Sequence, residues 1–323
     1  MNRLSEPGLG RARWPDPQNT TRQSPNGQRR WILGVRASVF LLIAGWLIGA
    51  IVANFELEPY DTTADISYAE GARHKLDVYQ TRGTVGAPVV VFFYGGRWQY
   101  GAKEWFRFIA VTLASRGYVV VIPDYRLYPE VKFPKFVVDG ANAVRWTRDN
   151  ISAYGGDSRR VFLMGHSAGA YIAAMLALDP RWLAGVGLGA DRDIAGLVGV
   201  SGPYDFLPPN DATLADVFGG PIPMPISFAD GPKPPALLLA GDADRLVDPG
   251  NSIRLAEKLR SGGNDATDAI YRQQGHMTVL AGFVPMLADF FPALRDVSTF
   301  VERVRLKAPA PVSVFTKAVS RSR

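Results

Sequence analysis

The sequence predicts an α/β fold, a mostly parallel central sheet with helices on both faces, preceded by a single transmembrane helix. Three observations predict it. Short continuous apolar runs rich in Val and Ile recur from residue 88 onward, and stretches of helical period separate them. An uncharged stretch, 37–53, stands apart between polar flanks. Strands joined through helices imply right-handed βαβ crossovers, hence parallel strands buried on both sides.

The elements follow in order. An alternating segment around 73–79 reads as an early strand, with His74 on the surface. The run 88–94 is the first buried strand. Residues 104–117 carry Phe106, Ile109, Ala110 and Leu113 on one helical face and end at Gly117. A strand at 118–122 precedes a helix over 134–150, where Pro134 suits the first turn. A strand at 160–164 leads into a helix of small and apolar residues, 167–178. Further buried strands fall at 194–200 and 236–240, a helix at 252–259, a last strand at 267–271, and an interrupted helix at 277–287. Between 202 and 235 the rhythm breaks: nine prolines crowd this connection, which reads as a lid or pocket wall.

The ends differ from the body. Residues 1–30 have too few large apolar side chains to offset their ordering entropy and read as a disordered basic leader. Residues 31–53, with Arg36 snorkelling toward the headgroups, are long enough to cross a bilayer. Seven arginines at or before position 36 would hold the leader in the cytoplasm and send the body to the far side, the periplasmic side in a bacterium. Cleavage after the apolar run would instead release the body. The expected organisation is thus leader 1–30, anchor or signal 31–53, α/β domain 54–302 and basic tail 303–323.

The chain has 36 Lys+Arg, 30 Asp+Glu, three His and no Cys. Without Cys there are no disulfides, thiolate nucleophiles or iron–sulfur clusters. Residues 1–36 carry seven bases and two acids, and 303–323 six bases and no acid. The 23 bases left between them face 28 acids. The body is therefore mildly acidic and the basic excess belongs to the ends, which argues against a nucleic-acid partner.

The chemistry concentrates at Gly165-His166-Ser167-Ala168-Gly169, between a predicted strand and a predicted helix. Small residues on both sides let the chain turn sharply and lift a nucleophilic Ser167 at the head of the helix. A serine hydroxyl needs a base. His166 on such an elbow should point into packing, and His276, in the loop after the last strand, can reach over the elbow; by position it is the base. The acid should lie between them in chain order. The loop after strand 236–240 offers Asp242, Asp244 and Asp248, of which the mid-loop Asp244 is the candidate. Asp242 reads as bracing the turn and Asp248 as preceding the next helix. After the first core strand, Gly95 and Gly96 let the main chain approach a reacting carbonyl, so the N–H groups of Gly96, Arg97 and Ala168 are candidate oxyanion donors.

Together these pieces resemble the α/β-hydrolase superfamily over about residues 60–300, in the esterase/lipase branch related to hormone-sensitive lipase and kynurenine formamidase. The resemblance rests on Tyr94-Gly95-Gly96-Arg97-Trp98, Asp124-Tyr125-Arg126-Leu127-Tyr128-Pro129-Glu130, the elbow, and Gly241-Asp242-Ala243-Asp244. One position departs from the pattern: Tyr94 stands where the family has a His that helps brace the oxyanion loop. The resemblance implies an α/β-hydrolase fold and hydrolysis of a small-molecule carboxylic ester through an acyl-enzyme, with neither metal nor organic cofactor; membrane attachment beside the Pro-rich wall points to hydrophobic esters. The same constellation serves amide and formamide hydrolases. A chain with a degenerate site would be a membrane-tethered binding protein.

Overall fold

The structure, a computed structural model, describes residues 60–205 and 212–307. The expected leader 1–30 and anchor 31–53 lie outside these residues. Among the described residues, no helix is long and apolar enough to cross a membrane.

The Val-rich runs become the centre of one eight-stranded sheet. Strands β1 (Tyr60–Ser67), β2 (Lys75–Thr81), β3 (Ala87–Phe93), β4 (Val119–Pro123), β5 (Gly156–His166), β6 (Gly196–Val200), β7 (Ala236–Gly241) and β8 (Ala266–Tyr271) lie in the order β1-β2-β4-β3-β5-β6-β7-β8. β2 runs antiparallel to β1 and β4, and the remaining pairs are parallel. Every residue of β3, β4, β6 and β7 is buried, which is why these strands read as unbroken apolar runs.

Among the described residues the helices are α1 (Arg107–Ser115), α2 (Lys135–Asn150), α3 (Ala168–Leu178), α4 (Pro180–Ala184), α5 (Ala190–Asp193), α6 (Ala212–Phe218) and α7 (Gly250–Ser261), and α8 (Ala293–Lys307) closes the fold. α2 packs on α3 across one face of the sheet, and α1 shares the turns at 278–283 with α8. α3 is buried over its whole length, so it shows no polar face and only Ala, Gly and apolar residues suit it.

Four expectations change. The helix expected at 104–117 opens as a 3₁₀ turn, Lys103–Phe106, before α1 begins. The 277–287 segment is two 3₁₀ turns, Thr278–Phe283 and Pro285–Leu287, since Pro285 supplies no N–H to continue a helix. His74 is buried, not on the surface, with Nε2 3.0 Å from the wholly buried Asp139. Finally, α8 runs through position 302 to Lys307, so the first five residues of the expected tail are folded. Arg303 and Lys307 hold Asp265 at 2.7 and 3.0 Å, tying the helix end to the start of β8. β1 had no clear signal, because an exposed edge strand needs no apolar run.

Candidate active site

β5 ends at His166 and α3 starts at Ala168, leaving Ser167 alone to reverse the chain. It does so at φ 54° and ψ −121°, a region that costs a non-glycine residue about 1–3 kcal/mol. The glycines on either side are required by close approach: a Cβ on Gly165 would sit 2.3 Å from the Gly169 oxygen, and one on Gly169 would sit 2.0 Å from the Phe93 oxygen. Ser167 N–H donates to the Val200 carbonyl at 2.9 Å, fixing the turn to β6. Ala168 opens the helix, so its N–H has no intrahelical carbonyl.

The structure brings the candidate acid and base together. His276 Nδ1 lies 2.8 Å from Asp244 Oδ2, and Asp244 Oδ1 accepts the N–H groups of Leu246 at 2.9 Å and Val247 at 3.0 Å. With Asp244 ionised, Nδ1 carries the proton, and Nε2 of a neutral His276 keeps a lone pair. Burial pushes the Asp244 carboxyl up, but the bonds from His276 and the two backbone N–H groups outweigh it and hold the carboxyl below its usual range. Asp242 braces the loop by accepting Gln273 N–H at 2.6 Å, and Asp248 accepts Gly250 N–H at 3.0 Å at the start of α7.

His166 does more than pack. Its Nε2 lies 3.0 Å from the His276 carbonyl, and a carbonyl only accepts, so Nε2 carries the proton. The two imidazoles sit 4.8 Å apart between centroids. Burial, with His276 nearby, pushes His166 down to about 3, so it stays neutral. It thereby fixes the His276 loop to the residue beside Ser167. Sequence reasoning saw His166 only as a packing residue.

The loop after β3 turns hard against the elbow. A Cβ on Gly95 would stand 3.0 Å from the Ser167 Cβ, so only glycine lets this backbone lie there. Gly96, Arg97 and Trp98 all have positive φ, at 137°, 56° and 59°, and the Gly96 carbonyl accepts Gln99 and Tyr100 N–H. Tyr94 points the other way. Its ring stacks between Tyr125 and Phe106, and its hydroxyl donates to Asp124 Oδ1 at 2.6 Å while accepting from Arg73 at 2.7 Å. Asp124 also accepts the Lys103 N–H, and Arg73 reaches the Gly101 carbonyl. Both ends of the loop are thus fixed from beneath. The rest of the motif clamps the same floor: Tyr125 hydroxyl donates to the Tyr94 carbonyl at 2.7 Å, and Arg126 binds Asp139 through two nitrogens. Asp124 was read only as part of a motif, and the bracing roles of Arg73 and Asp139 escaped sequence reasoning. The available signal was charge placed inside otherwise apolar segments.

The BD-FAE family model matches residues 76–216, which carry the loop after β3 and the Ser167 elbow but neither Asp244 nor His276. The isoprenylcysteine alpha-carbonyl methylesterase ICME of Arabidopsis thaliana is 36% identical over 154 residues, covering 46% of this chain and 35% of the relative. Esterase LipC of Mycobacterium tuberculosis is 27% identical, covering 61% and 54%. Kynurenine formamidase of Salmo salar is 36% identical, covering 46% and 48%. The chain therefore spans roughly a third to a half of these relatives' lengths. Among solved structures, esterase B from Lactobacillus rhamnosis superposes with a TM-score of 0.66 at 19% identity, covering 87% of this chain and 97% of that one. A truncated carbohydrate esterase from gut microbiota gives 0.67 at 23%, covering 76% and 97%. The family-model match, the relatives and the structural neighbours together support an α/β-hydrolase of the esterase/lipase branch.

The Pro-rich connection forms a wall beside the loop after β3. It carries Phe218, whose ring lies 4.9 Å from Trp98 and 5.5 Å from Tyr171, and its Pro223 carbonyl accepts the Tyr171 hydroxyl at 2.8 Å. Trp98 also meets Tyr171 edge-on. Edge-to-face rings of this kind add about 0.5–1.5 kcal/mol per pair beyond burial. The wall is thus packed onto the loop whose backbone it flanks.

Proposed function

We propose that this chain hydrolyses carboxylic esters through an acyl-enzyme on Ser167. The observation that carries this reading is the 2.8 Å hydrogen bond between Asp244 and His276, on loops joined through His166 to the strained Ser167. Ser167 Oγ would attack the carbonyl carbon while His276 Nε2 takes its proton, forming the ester oxygen–carbon bond of the tetrahedral intermediate. Asp244 would hold the imidazole in the required tautomer and stabilise its cation. The N–H groups of Gly96, Arg97 and Ala168, with Gly95 giving the backbone room, would receive the oxyanion, each donor contributing roughly 3–4 kcal/mol. His276 would return its proton to the departing alcohol, then draw one from water to release the acid. These steps use only groups of this chain.

The activities named for the relatives support the ester reading, and the formamidase, as similar as the methylesterase, keeps amide cleavage as a second reading. In the same proposal 31–53 is an uncleaved single-pass anchor and the catalytic domain is extracytoplasmic, on the charge asymmetry of the flanks.

Fluorophosphonate labelling of the full chain tests the nucleophile: the label should map to Ser167 and vanish in Ser167→Ala. A folded protein that takes no label would refute it. Matched ester and anilide substrates separate the two readings, faster ester turnover supporting the first and faster anilide turnover the second.

A further inference from the structure

The edge of the sheet opposite Ser167 is built differently from the catalytic edge. Arg159 and Arg160 lie in β5 just before Val161, which pairs with Val89 near the start of β3, and Ile194 and Ala195 precede β6, so these residues lie where the parallel strands start. There a cavity of about 260 Å³ is lined by Arg159, Arg160, Arg192, Arg305 and Lys307 over an apolar floor that includes Phe162, Ile194 and Val304. No acidic side chain lines it. The cations have carboxylate partners outside the cavity, but they share them: Asp157 serves both Arg159 and Arg160, and Asp265 serves both Lys307 and Arg303. The Arg159, Arg192 and Lys307 side chains are each about two-thirds exposed, at 66%, 65% and 64%. A guanidinium has five N–H donors, so each arginine keeps donors for an incoming anion.

Two apolar side chains stand out at the same edge. Leu306 is 76% exposed between Arg305 and Lys307, and Val85 is 90% exposed in the turn that joins the end of β2 to the start of β3. Exposed apolar side chains among cations suit the headgroup boundary of a bilayer.

Strand direction brings both ends of the described fold there. β2 is antiparallel to the central strands and β1 to β2, and Tyr60 pairs with Thr81, the last residue of β2. Tyr60 thus lies at the starting edge of the parallel strands, as does Lys307 at the cavity. In sequence, six residues separate the apolar stretch 31–53 from Tyr60. Lys317, Arg321 and Arg323 follow Lys307 with no acid among them.

We propose that this edge is the surface by which the domain lies on a bilayer rich in anionic phospholipid, with a lipid phosphate in the arginine-lined cavity and Val85 and Leu306 at the headgroup level. The catalytic loops, at the other ends of the same strands, then face away from the bilayer, and substrate arrives from the aqueous side. This orientation does not depend on the reaction assigned to Ser167.

The full chain has no cysteine, so single labels are readily placed. Ala153→Cys marks the exposed turn before β5, and Leu246→Cys marks the exposed loop beside Asp244. The eleven residues of β5 separate the two levels by roughly 35 Å, at about 3.3 Å per residue. Energy transfer to headgroup-bound acceptors is read in vesicles of phosphatidylcholine alone and of phosphatidylcholine with phosphatidylglycerol. Transfer should be stronger from position 153 than from 246 in the anionic vesicles, and the gap should shrink in neutral vesicles and in high salt. Each cation near an anionic surface is worth roughly a fivefold preference, so the triple variant Arg159→Gln/Arg192→Gln/Arg305→Gln should lose about a hundredfold of it. The lipid comparison needs no such variant and decides the matter even if the triple variant unfolds. Stronger transfer from 246 would instead put the exposed Leu246 and Met277 at the membrane and overturn the proposal. So would a gap that ignores lipid charge.

Discussion

The two edges of the central sheet solve the problem of turning the chain in opposite ways. Where the parallel strands start, the sharp turns fall to glycines at positive φ, among them Gly83, Gly86, Gly117, Gly155 and Gly263. Where they end, glycines such as Gly96 and Gly101 are joined at positive φ by residues with side chains: Arg97 and Trp98 after β3, Ser167 after β5, Ser201 after β6 and Gln273 after β8. A side chain in that region costs of order 1 kcal/mol or more, and glycine avoids the cost. The relaxed edge carries paired arginines over exposed ground, and the strained edge carries buried networks that end on Ser167 and His276. Strain sits where a side chain must be held in an otherwise unfavourable direction, and surrounding hydrogen bonds over-determine it.

The sharpest break of this contrast is at the elbow. Ser167→Ala keeps the strained backbone but removes the hydroxyl, and ester turnover should fall by about 10⁶ in kcat. Steady-state kinetics checks this, and a variant retaining a tenth of the activity would remove Ser167 from the mechanism. Below the oxyanion loop, Tyr94→Phe deletes the donor that Asp124 receives at 2.6 Å. Burial already pushes the Asp124 carboxyl up, so losing a charge-assisted bond should lower stability by about 1.5–3 kcal/mol in urea unfolding. An unchanged midpoint would mean that Arg73 and the Lys103 N–H suffice.

Acid should weaken the catalytic edge through His166. Its folded form takes a proton only near pH 3, against about 6.5 for an unperturbed histidine. Between those values the unfolded chain binds more protons, so stability falls as pH drops through that window, by up to about 1.4 kcal/mol per unit. Above about pH 6.5 neither state is protonated and the contribution is flat. Urea unfolding of the wild type and of His166→Asn at several pH values should show a steeper loss for the wild type; parallel curves would refute the assignment. Asp244, held below its usual range, adds a loss of the same sign at lower pH.

Ser167→Gly tests the strain itself. It should be inactive yet more stable than Ser167→Ala by about 1 kcal/mol, since glycine adopts the elbow conformation freely. At the opposite edge, Arg159→Ala removes an exposed partner of Asp157 and should move stability by no more than about 0.5 kcal/mol. A loss of several kcal/mol there would show that this edge is no more relaxed than the other.

Much of this contrast was legible in the chain and some of it was not. The buried strands, the helix behind the elbow, and the serine, acid and histidine segments all follow from patterns a few residues long, because period and turn chemistry act within that range. The edge strand β1 left no such pattern, and α8 read past 302 as tail because its basic end looked like solvated chain. Residues 31–53 lie outside the described structure, and their reading as an anchor remains with the sequence.

By itself, then, the sequence determined the alternation of elements, the order serine, aspartate, histidine, and the location of charge in the end segments. Tertiary structure decided which groups meet across long separations. His74 found buried Asp139, 65 positions away, Tyr94 found Asp124, and His166 found the carbonyl of His276. The reason is physical: local sequence sets backbone preference and burial pattern, whereas a buried polar group is stabilised by whatever partner the chain's path delivers, and that path is fixed only when the sheet closes.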